Sequence, residues 1–277
     1  MFSTAFFILV HSLMSWSNNI KYRYMLYRMG YYSGQAGIMR RFLGEEGSWK
    51  GHLSKTKEYI LDAVARTGTQ KVRILGSGWL LDIPLTELVN NGVHVTLVDI
   101  AHPRQVMHRY RENALITFQT TDITGGAIEL AYDFAKRKKS NLGAFELIGS
   151  LSGLSNPFHF ATDELVISAN ILSQTSVLIT DYLLMRGAIK PADVEPISRI
   201  VQANHMNLLL QARGVLVADY EEEFFDESGV EVGTRPTVFI PIEKGEQVTR
   251  WTWTFDTKET YSDGFRTNLN VVALMLF

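Results

Sequence analysis

Residues 71–84, which read KVRILGSGWLLDIP, constrain the fold more than any other stretch of the chain. Lys71 to Leu75 has the character of a buried strand, and Gly76 and Gly78 then allow a sharp turn and a close approach of backbone to a ligand. Pro84 suits the first turn of a helix, which Gly92 ends. The stretch therefore predicts a strand, a glycine loop and a helix in succession.

Further strands follow this first unit at spacings that leave room for helices. A second strand is predicted at Val93–Ile100, with Asp99 near its end, and a third finishes near Asp122. Two more cover Leu165–Ala169 and the segment VLVADYEEEF. The last two strand patterns, QVTRWTWTFDT and TNLNVVALMLF, have no helix-length connection between them. They predict an antiparallel pair at the sheet edge.

Apolar residues at helical spacing predict three further helices, one of which precedes the first strand. They are His52–Thr67, the segment GGAIELAYDFAKRKK, and ISRIVQANHMNLLLQARG. The basic run that ends the second of these helices is explained by the helix dipole and solvation. The segment between that helix and the fourth strand, SNLGAFELIGSLSGLSNPFHFAT, is expected to be irregular.

Composition supports one α/β domain and excludes several chemistries. The chain has 277 residues, 46% of them hydrophobic, with a net charge of −2 and no cysteine. Disulfides, thiolate nucleophiles and cysteine-ligated metals are therefore excluded, and the charge gives no reason to expect nucleic acid as a partner. No metal is predicted. A cytoplasmic location fits the absence of cysteine, and a homo-oligomer is left open.

The N-terminal region differs from the rest of the chain in its charge. Residues 1–44 contain no Asp or Glu, whereas basic residues alternate with tyrosines from Lys21 to Arg41. The apolar run MFSTAFFILVHSLMSW lacks a preceding basic residue and is too short to span a bilayer, so neither a signal peptide nor a membrane helix is predicted. We expect a helical extension or cap over residues 1–67, followed by the main domain at 68–277. A lid over an active site and a surface for an anionic substrate, nucleic acid or membrane headgroups are the alternatives for this segment.

The carboxyl ends of the predicted strands bring together residues suited to a nucleoside, since ligands of open parallel sheets bind at that edge. The backbone amides of Gly76, Ser77 and Gly78 could face a carboxylate, a phosphate or a ribose. Asp99 and Ile100 end the second strand, where a carboxylate can accept both ribose hydroxyls. Asp122 could accept from an adenine amine while Ile123 packs on the ring.

Two common nucleotide sites do not fit this loop. A dinucleotide fingerprint needs a glycine at the sixth position, where this chain has Leu81. A P-loop needs Gly-Lys-Ser/Thr after the first glycine, and none is present at that distance. An NAD-dependent oxidoreductase and an ATPase are both disfavoured.

The segments ILGSGWL, TLVDI, TTDI and LVISANILSQ, followed by the closing strand pair, together resemble the Rossmann-like S-adenosylmethionine-dependent methyltransferases. The resemblance covers about Lys71 to Phe277. It implies a doubly wound α/β fold with a mostly parallel seven-stranded sheet, an antiparallel C-terminal strand pair and an N-terminal helical cap. It also implies S-adenosylmethionine as cofactor.

Two positions depart from the pattern of that family. Its first strand usually carries an acidic residue two before the first glycine, where this chain has Ile74, and its third glycine is replaced by Leu80. Asp82 is close enough to replace the missing carboxylate. Alternatively, Asp82 caps the following helix, since Asp is a favoured N-cap residue.

The resemblance also suggests where the methyl acceptor lies. Ser168, Ala169 and Asn170 end the fourth strand, where the family positions cofactor and acceptor. Candidate catalytic groups are His159, His205 and Tyr220, and Trp251 and Trp253 are expected in the core. We expect methyl transfer to a small molecule. The alternatives are a binding protein without transfer activity and, less favoured, an NAD-dependent oxidoreductase.

Overall fold

The computed structural model describes residues 20–137, 143–156, 158–242, 245–262 and 264–277. The apolar N-terminal run and Lys138–Lys139 lie outside these ranges. The described strands are Lys71–Leu75 (β1), His94–Asp99 (β2), Ile116–Thr120 (β3), Glu164–Ala169 (β4), Arg213–Phe225 (β5), Glu231–Pro236 (β6), Glu246–Asp256 (β7) and Arg266–Met275 (β8).

The strands form one sheet in the order β3-β2-β1-β4-β5-β8-β7, with β6 paired to β5 beside this path. The first five strands are parallel, whereas β8 is antiparallel to both β5 and β7. The predicted doubly wound sheet with an antiparallel C-terminal strand pair is confirmed. The predicted count of seven strands is corrected to eight, because Glu231–Pro236 folds back on the end of β5.

Helices cover both faces of the sheet. Residues 20–28 are helical (α1), and the remaining helices are Tyr31–Thr67 (α2), Leu85–Asn90 (α3), Arg104–Tyr110 (α4), Ala127–Lys136 (α5), Gly143–Ser152 (α6), Val177–Met185 (α7) and Val194–Leu210 (α8). Tyr59, Ile60 and Ala63 of α2 pack in the core on one face of the sheet, while Met206 and Leu209 of α8 pack on the other. In open parallel sheets, ligands bind outside the carboxyl ends of the strands, so this edge is the one to examine for a site.

Helix α2 is much longer than the segment His52–Thr67 that its periodicity predicts. It runs for 37 residues, with a kink at Glu45, whose φ of −120° and ψ of 16° are not helical. Glu45 accepts hydrogen bonds from the backbone N–H and the hydroxyl of Thr257, which follows β7. The N-terminal half of α2 therefore extends past the sheet as part of a helical cap, and its C-terminal half belongs to the core.

The segment expected to be irregular contains a helix instead. Helix α6 lies within it, and Leu147 and Leu151 of that helix are buried in a cluster with residues of α1, α5, α7 and α8. Residues 154–156 and 158–163 that follow α6 do form a loop before β4. The prediction of an irregular segment was wrong for residues 143–152, because its glycines and serines outweighed the apolar spacing.

Candidate active site

The glycine loop after β1 adopts left-handed backbone conformations that only its glycines take without strain. Gly76 has φ +72° and Gly78 φ +46°, while Leu80 has φ +60°. A Cβ atom on Gly76 would lie 2.6 Å from Cγ1 of Ile171, which follows β4. Leu80 stands where the family pattern has a third glycine, and it adopts the left-handed conformation that favours glycine. The loop also packs tightly on the segment after β4.

The amides of this loop are already paired within the protein. The N–H groups of Gly76 and Ser77 both donate to the carbonyl of Val98, at 2.9 and 3.1 Å, and Gly78 N–H donates to Asp99 Oδ2 at 2.7 Å. These three amides therefore have partners inside the protein, and their contact with a ligand stays a prediction. The hydroxyl of Ser77 is buried and has no hydrogen-bond partner among the described residues.

Asp99 ends β2 and lies at the centre of the site. Its Oδ2 accepts from Gly78, and its Oδ1 accepts from the N–H of Ala101 at 3.0 Å and from the side-chain amide of Gln35 at 3.2 Å. Burial raises the pKa of the Asp99 carboxyl. One carboxylate thereby ties the glycine loop to the end of β2, with acceptor capacity left on Oδ2.

Helix α2 reaches over this carboxylate. Gln35 also donates from its side chain to the carbonyl of Ala101, and its own backbone carbonyl accepts from Trp79 Nε1 at 2.8 Å. The cap therefore contacts both the glycine loop and the residue predicted to bind a ribose. Neither Gln35 nor Trp79 was predicted from the sequence, because Gln35 and Asp99 are 64 residues apart and no local pattern links them.

Asp122 lies after β3 and is bonded to its own loop. Its Oδ1 accepts from the N–H and the hydroxyl of Thr124, and its Oδ2 accepts from the N–H of Gly126. Burial raises its pKa. Burial raises the pKa of Tyr22 and of Tyr31, and the nearby carboxylate of Asp122 raises both further, so both tyrosines of the cap lie near the end of β3.

The residues that end β4 differ in what they can reach. Ser168 is fully buried, and its hydroxyl pairs with His205 Nε2 at 2.8 Å. Ala169 is also buried, whereas Asn170 lies at the carboxyl end of the strand and has φ +52°. Burial lowers the pKa of His205 to about 4. Asn170 is thus the member of this group that lies beside the glycine loop.

Asn170 contacts two side chains from distant parts of the chain, Asp82 and His52, and His52 in turn contacts two tryptophans. Its side-chain amide lies 2.6 Å from Asp82 Oδ2 and 3.0 Å from His52 Nε2. Trp251 Nε1 donates to His52 Nδ1 at 3.1 Å, and the ring of His52 stacks on Trp253 at 3.8 Å. Asp82 makes no capping bond to α3, so the capping role considered for it is excluded. Trp251 and Trp253 are buried, as expected.

The remaining candidates lie elsewhere in the fold. His159 is exposed and lines a cavity of about 450 Å³ together with Ile123 and residues of α8. Tyr220 sits at an irregularity in the pairing of β5 with β8, and its carbonyl accepts from Thr237. The neighbouring Asp219 is buried and accepts from the hydroxyl of Ser173. These groups are not brought together with Asp99 by any contact in the described structure.

A cleft of about 1610 Å³ opens between the cap and the carboxyl edge of the sheet. Trp79 lines it from the glycine loop, Ile100 and Ala101 from the end of β2, and Thr120 from the end of β3. Its other side is formed by residues of the cap, including Lys21, Tyr22, Arg23, Tyr24, Tyr32 and Gln35. The cleft exceeds the roughly 300–1,000 Å³ of usual small-ligand pockets. It has room for more than one small molecule.

Comparison with known proteins adds one distant likeness. No family model and no curated protein sequence matches the chain. Among solved structures, it is similar to Burkholderia thailandensis 1,6-didemethyltoxoflavin-N1-methyltransferase, solved with 1,6-didemethyltoxoflavin and S-adenosylhomocysteine bound. The identity is 10%, the TM-score is 0.35, and the match covers 88% of this chain and 89% of that one. This likeness is too distant to carry an argument about function.

Among the described residues, no helix combines the length and the hydrophobicity that a membrane span requires. Within the same ranges, no group of three or more histidine and carboxylate side chains is placed to hold a metal ion.

Proposed function

We propose that this protein is an S-adenosylmethionine-dependent methyltransferase that acts on a small-molecule acceptor. The observation that carries the proposal is Asp99: a buried carboxylate ends β2, holds the N–H of Gly78 and lies at the edge where nucleosides bind in open parallel sheets. The sheet is mostly parallel and has an antiparallel C-terminal strand pair, as the sequence resemblance implies. In this role, Asp99 Oδ2 accepts from a ribose hydroxyl and the glycine loop lets the cofactor approach closely.

The adenosine part of the cofactor fits the cleft beside Asp99. Ile100 and Ala101 line that cleft immediately after the carboxylate, and Asp122 and Ile123 follow the next strand. In the proposed complex, Ile100 packs against the base, whereas Ile123 lines the smaller cavity and is not assigned to the base. The end of β4, with Asn170, lies on the side of β1 opposite to β2. We assign it to the reacting end of the cofactor and to the acceptor.

The chemistry asks little of the protein beyond placement. Methyl transfer to an electron-rich atom proceeds when the acceptor is held in line with the sulfonium and water is excluded, which proximity and desolvation provide. The cap, formed by α1 and the N-terminal half of α2, is placed to exclude water because it already contacts Trp79 and Asp99. No catalytic base is assigned, since His205 is buried against Ser168.

Calorimetric titration with S-adenosylmethionine, S-adenosylhomocysteine and NAD tests the proposal. We expect micromolar binding of the two sulfur nucleosides, no binding of NAD, and loss of binding in Asp99→Ala. Asp163→Ala is the matched control, because Asp163 is an exposed carboxylate that pairs with Lys71 at the opposite end of the same strands. A folded protein that binds neither sulfur nucleoside would refute the proposal, and selective binding of NAD would favour the oxidoreductase.

A further inference from the structure

The side chains around Asn170 allow only one arrangement of protons. Trp251 Nε1 is a donor and never an acceptor, so His52 Nδ1, at 3.1 Å, must accept from it. The His52 ring cannot turn over without leaving the buried Trp251 N–H unpaired, and it is held in place by parallel stacking on Trp253, with an interplanar angle of 4°. Burial lowers the pKa of His52 to about 3, so the ring is neutral at pH 7. A neutral ring that accepts at Nδ1 carries its proton on Nε2.

The proton on Nε2 sets the orientation of the Asn170 amide. The Asn170 atom 3.0 Å from Nε2 has to be an acceptor, which is the amide oxygen. Amide nitrogen and oxygen have nearly the same shape, so the amide can turn by 180° without any change in packing. If the amide nitrogen lay in that position, two donors would face each other. With the His52 proton on Nε2, they would be Nε2–H and the Asn170 NH₂ group. With the proton on Nδ1, they would be Nδ1–H and Trp251 Nε1–H.

The orientation of the amide in turn sets the protonation of Asp82. The same Asn170 atom lies 2.6 Å from Asp82 Oδ2. If that atom is the amide oxygen, a charged carboxylate would place two acceptors in contact, whereas a protonated Asp82 donates a normal O–H···O bond at this distance. Burial raises the pKa of Asp82 and outweighs three effects that lower it, namely the hydrogen bond with Asn170, the one with its own backbone N–H and the attraction of Lys57. The net shift favours the same neutral state.

In this orientation, the second polar atom of the Asn170 amide is its nitrogen, which is a hydrogen-bond donor. The second polar atom of this amide is buried and has no hydrogen-bond partner among the described residues. It belongs to an asparagine in the left-handed region, at φ +52°, and the next residue, Ile171, packs against Gly76. A buried polar atom without a partner requires one, and an oxygen atom of a ligand would supply it.

We propose that Asp82 is a protonated, neutral acid which, together with His52, fixes the Asn170 side chain so that its NH₂ group is the donor offered to an oxygen atom of the ligand. This assignment rests on the ligand site proposed above. Asp82 and His52 are positioning residues, because each acts through Asn170. The ligand group at this point is a carboxylate or a carbonyl. The proposal replaces the suggestion that Asp82 acts as a charged carboxylate.

The proton arrangement can be measured on the full-length, ligand-free protein. Histidine ¹⁵N NMR at pH 7, with His52 assigned by comparison with His52→Gln, should show a neutral ring protonated at Nε2. Infrared difference spectra of wild type minus Asp82→Asn should show the C=O band of a protonated carboxyl group. A proton on Nδ1 of His52, or a spectrum with carboxylate bands only, would overturn the proposal even if the protein binds no nucleoside.

Ligand binding tests the role of Asn170 separately. Asp82→Asn keeps a neutral donor toward the Asn170 oxygen, so we expect its affinity for S-adenosylhomocysteine to stay within about twofold of wild type. Asp82→Leu lacks that donor and should lose about tenfold, as should Asn170→Asp, which lacks the NH₂ group. A tenfold loss in Asp82→Asn, with the wild-type fold by circular dichroism, would show that the charged carboxylate is needed and would refute the proposal.

Discussion

At the scale of single residues, the site depends on the close packing of Gly76 against Ile171. Gly76→Ala introduces a Cβ atom 2.6 Å from Ile171 Cγ1 at a φ of +72°, whereas at Gly78 the nearest atom to a new Cβ is 3.9 Å away. We expect Gly78→Ala to lower the free energy of unfolding by about 1 kcal/mol through backbone strain alone. Gly76→Ala should cost about 3 kcal/mol, because overpacking adds to the same strain.

Denaturant unfolding in two backgrounds separates these two causes. In an Ile171→Ala background the contacts with Cγ1 and Cδ1 are removed and only the contact with Cβ, at 2.9 Å, remains, so Gly76→Ala should cost clearly less than it does with Ile171 present. An equal cost of Gly76→Ala with and without Ile171 would contradict the packing argument. The measurement compares unfolding midpoints and slopes, so a change in cooperativity would also be seen.

Some residues of the site could be predicted from the sequence and others could not, for a physical reason. Gly76, Gly78 and Asp99 follow strands whose apolar pattern is local, so their place at the sheet edge can be inferred. His52 and Gln35 lie on a helix whose contacts with the site are long-range: His52 meets Asn170 across 118 residues. No periodicity in the sequence encodes such a contact.

At the scale of elements, α2 connects the cap to the core in a single helix. Its N-terminal half places Gln35 on Asp99, and the kink at Glu45 is held by Thr257. The elements that the sequence did not predict, α4, α6, α7 and β6, are short or lack a clear apolar face of their own. Val230 immediately precedes β6 and Val232 lies within it, and both side chains are exposed. Strand β6 is therefore stabilised by its pairing with β5 and not by burial of its own apolar residues.

The position of Gln35 predicts an effect on ligand affinity. A ribose that uses both oxygens of Asp99 must displace the Gln35 amide from Oδ1, where it donates at 3.2 Å. Because such a bond contributes about 0.5–1.5 kcal/mol, Gln35→Ala should bind S-adenosylhomocysteine roughly three- to tenfold more tightly. Calorimetry measures the change, with Gln70→Ala at the opposite end of β1 as control. Weaker binding by Gln35→Ala would mean that the amide contacts the ligand instead.

At the scale of the whole molecule, two buried histidines make stability depend on pH. Burial lowers the pKa of His52 to about 3 and that of His205 to about 4, from 6.5. At these two histidines, the folded protein therefore binds fewer protons than the unfolded chain does below about pH 6.5. Stability from these groups is full above pH 6.5 and is lost as the pH falls toward their folded pKa values. Asp82, Asp99, Asp122 and Asp219 act in the opposite direction, because burial raises each pKa.

A difference between wild type and His205→Gln isolates one histidine from these opposing groups. Between pH 7 and pH 5, wild type should lose about 2 kcal/mol more of its free energy of unfolding than the variant does. Urea unfolding at several pH values measures this difference in slope. Parallel pH profiles for the two proteins would show that His205 becomes protonated without unfolding.

The place of β8 in the sheet has a consequence for synthesis on the ribosome. This strand follows all the other described strands in sequence, yet it lies between β5 and β7. A nascent chain therefore exposes β5, with its apolar residues from Val215 to Ala218, as an unpaired edge until residues 266–275 have emerged. We expect chaperones and proteases to act on such incomplete chains, and emergence of β8 to be the event that ends their access.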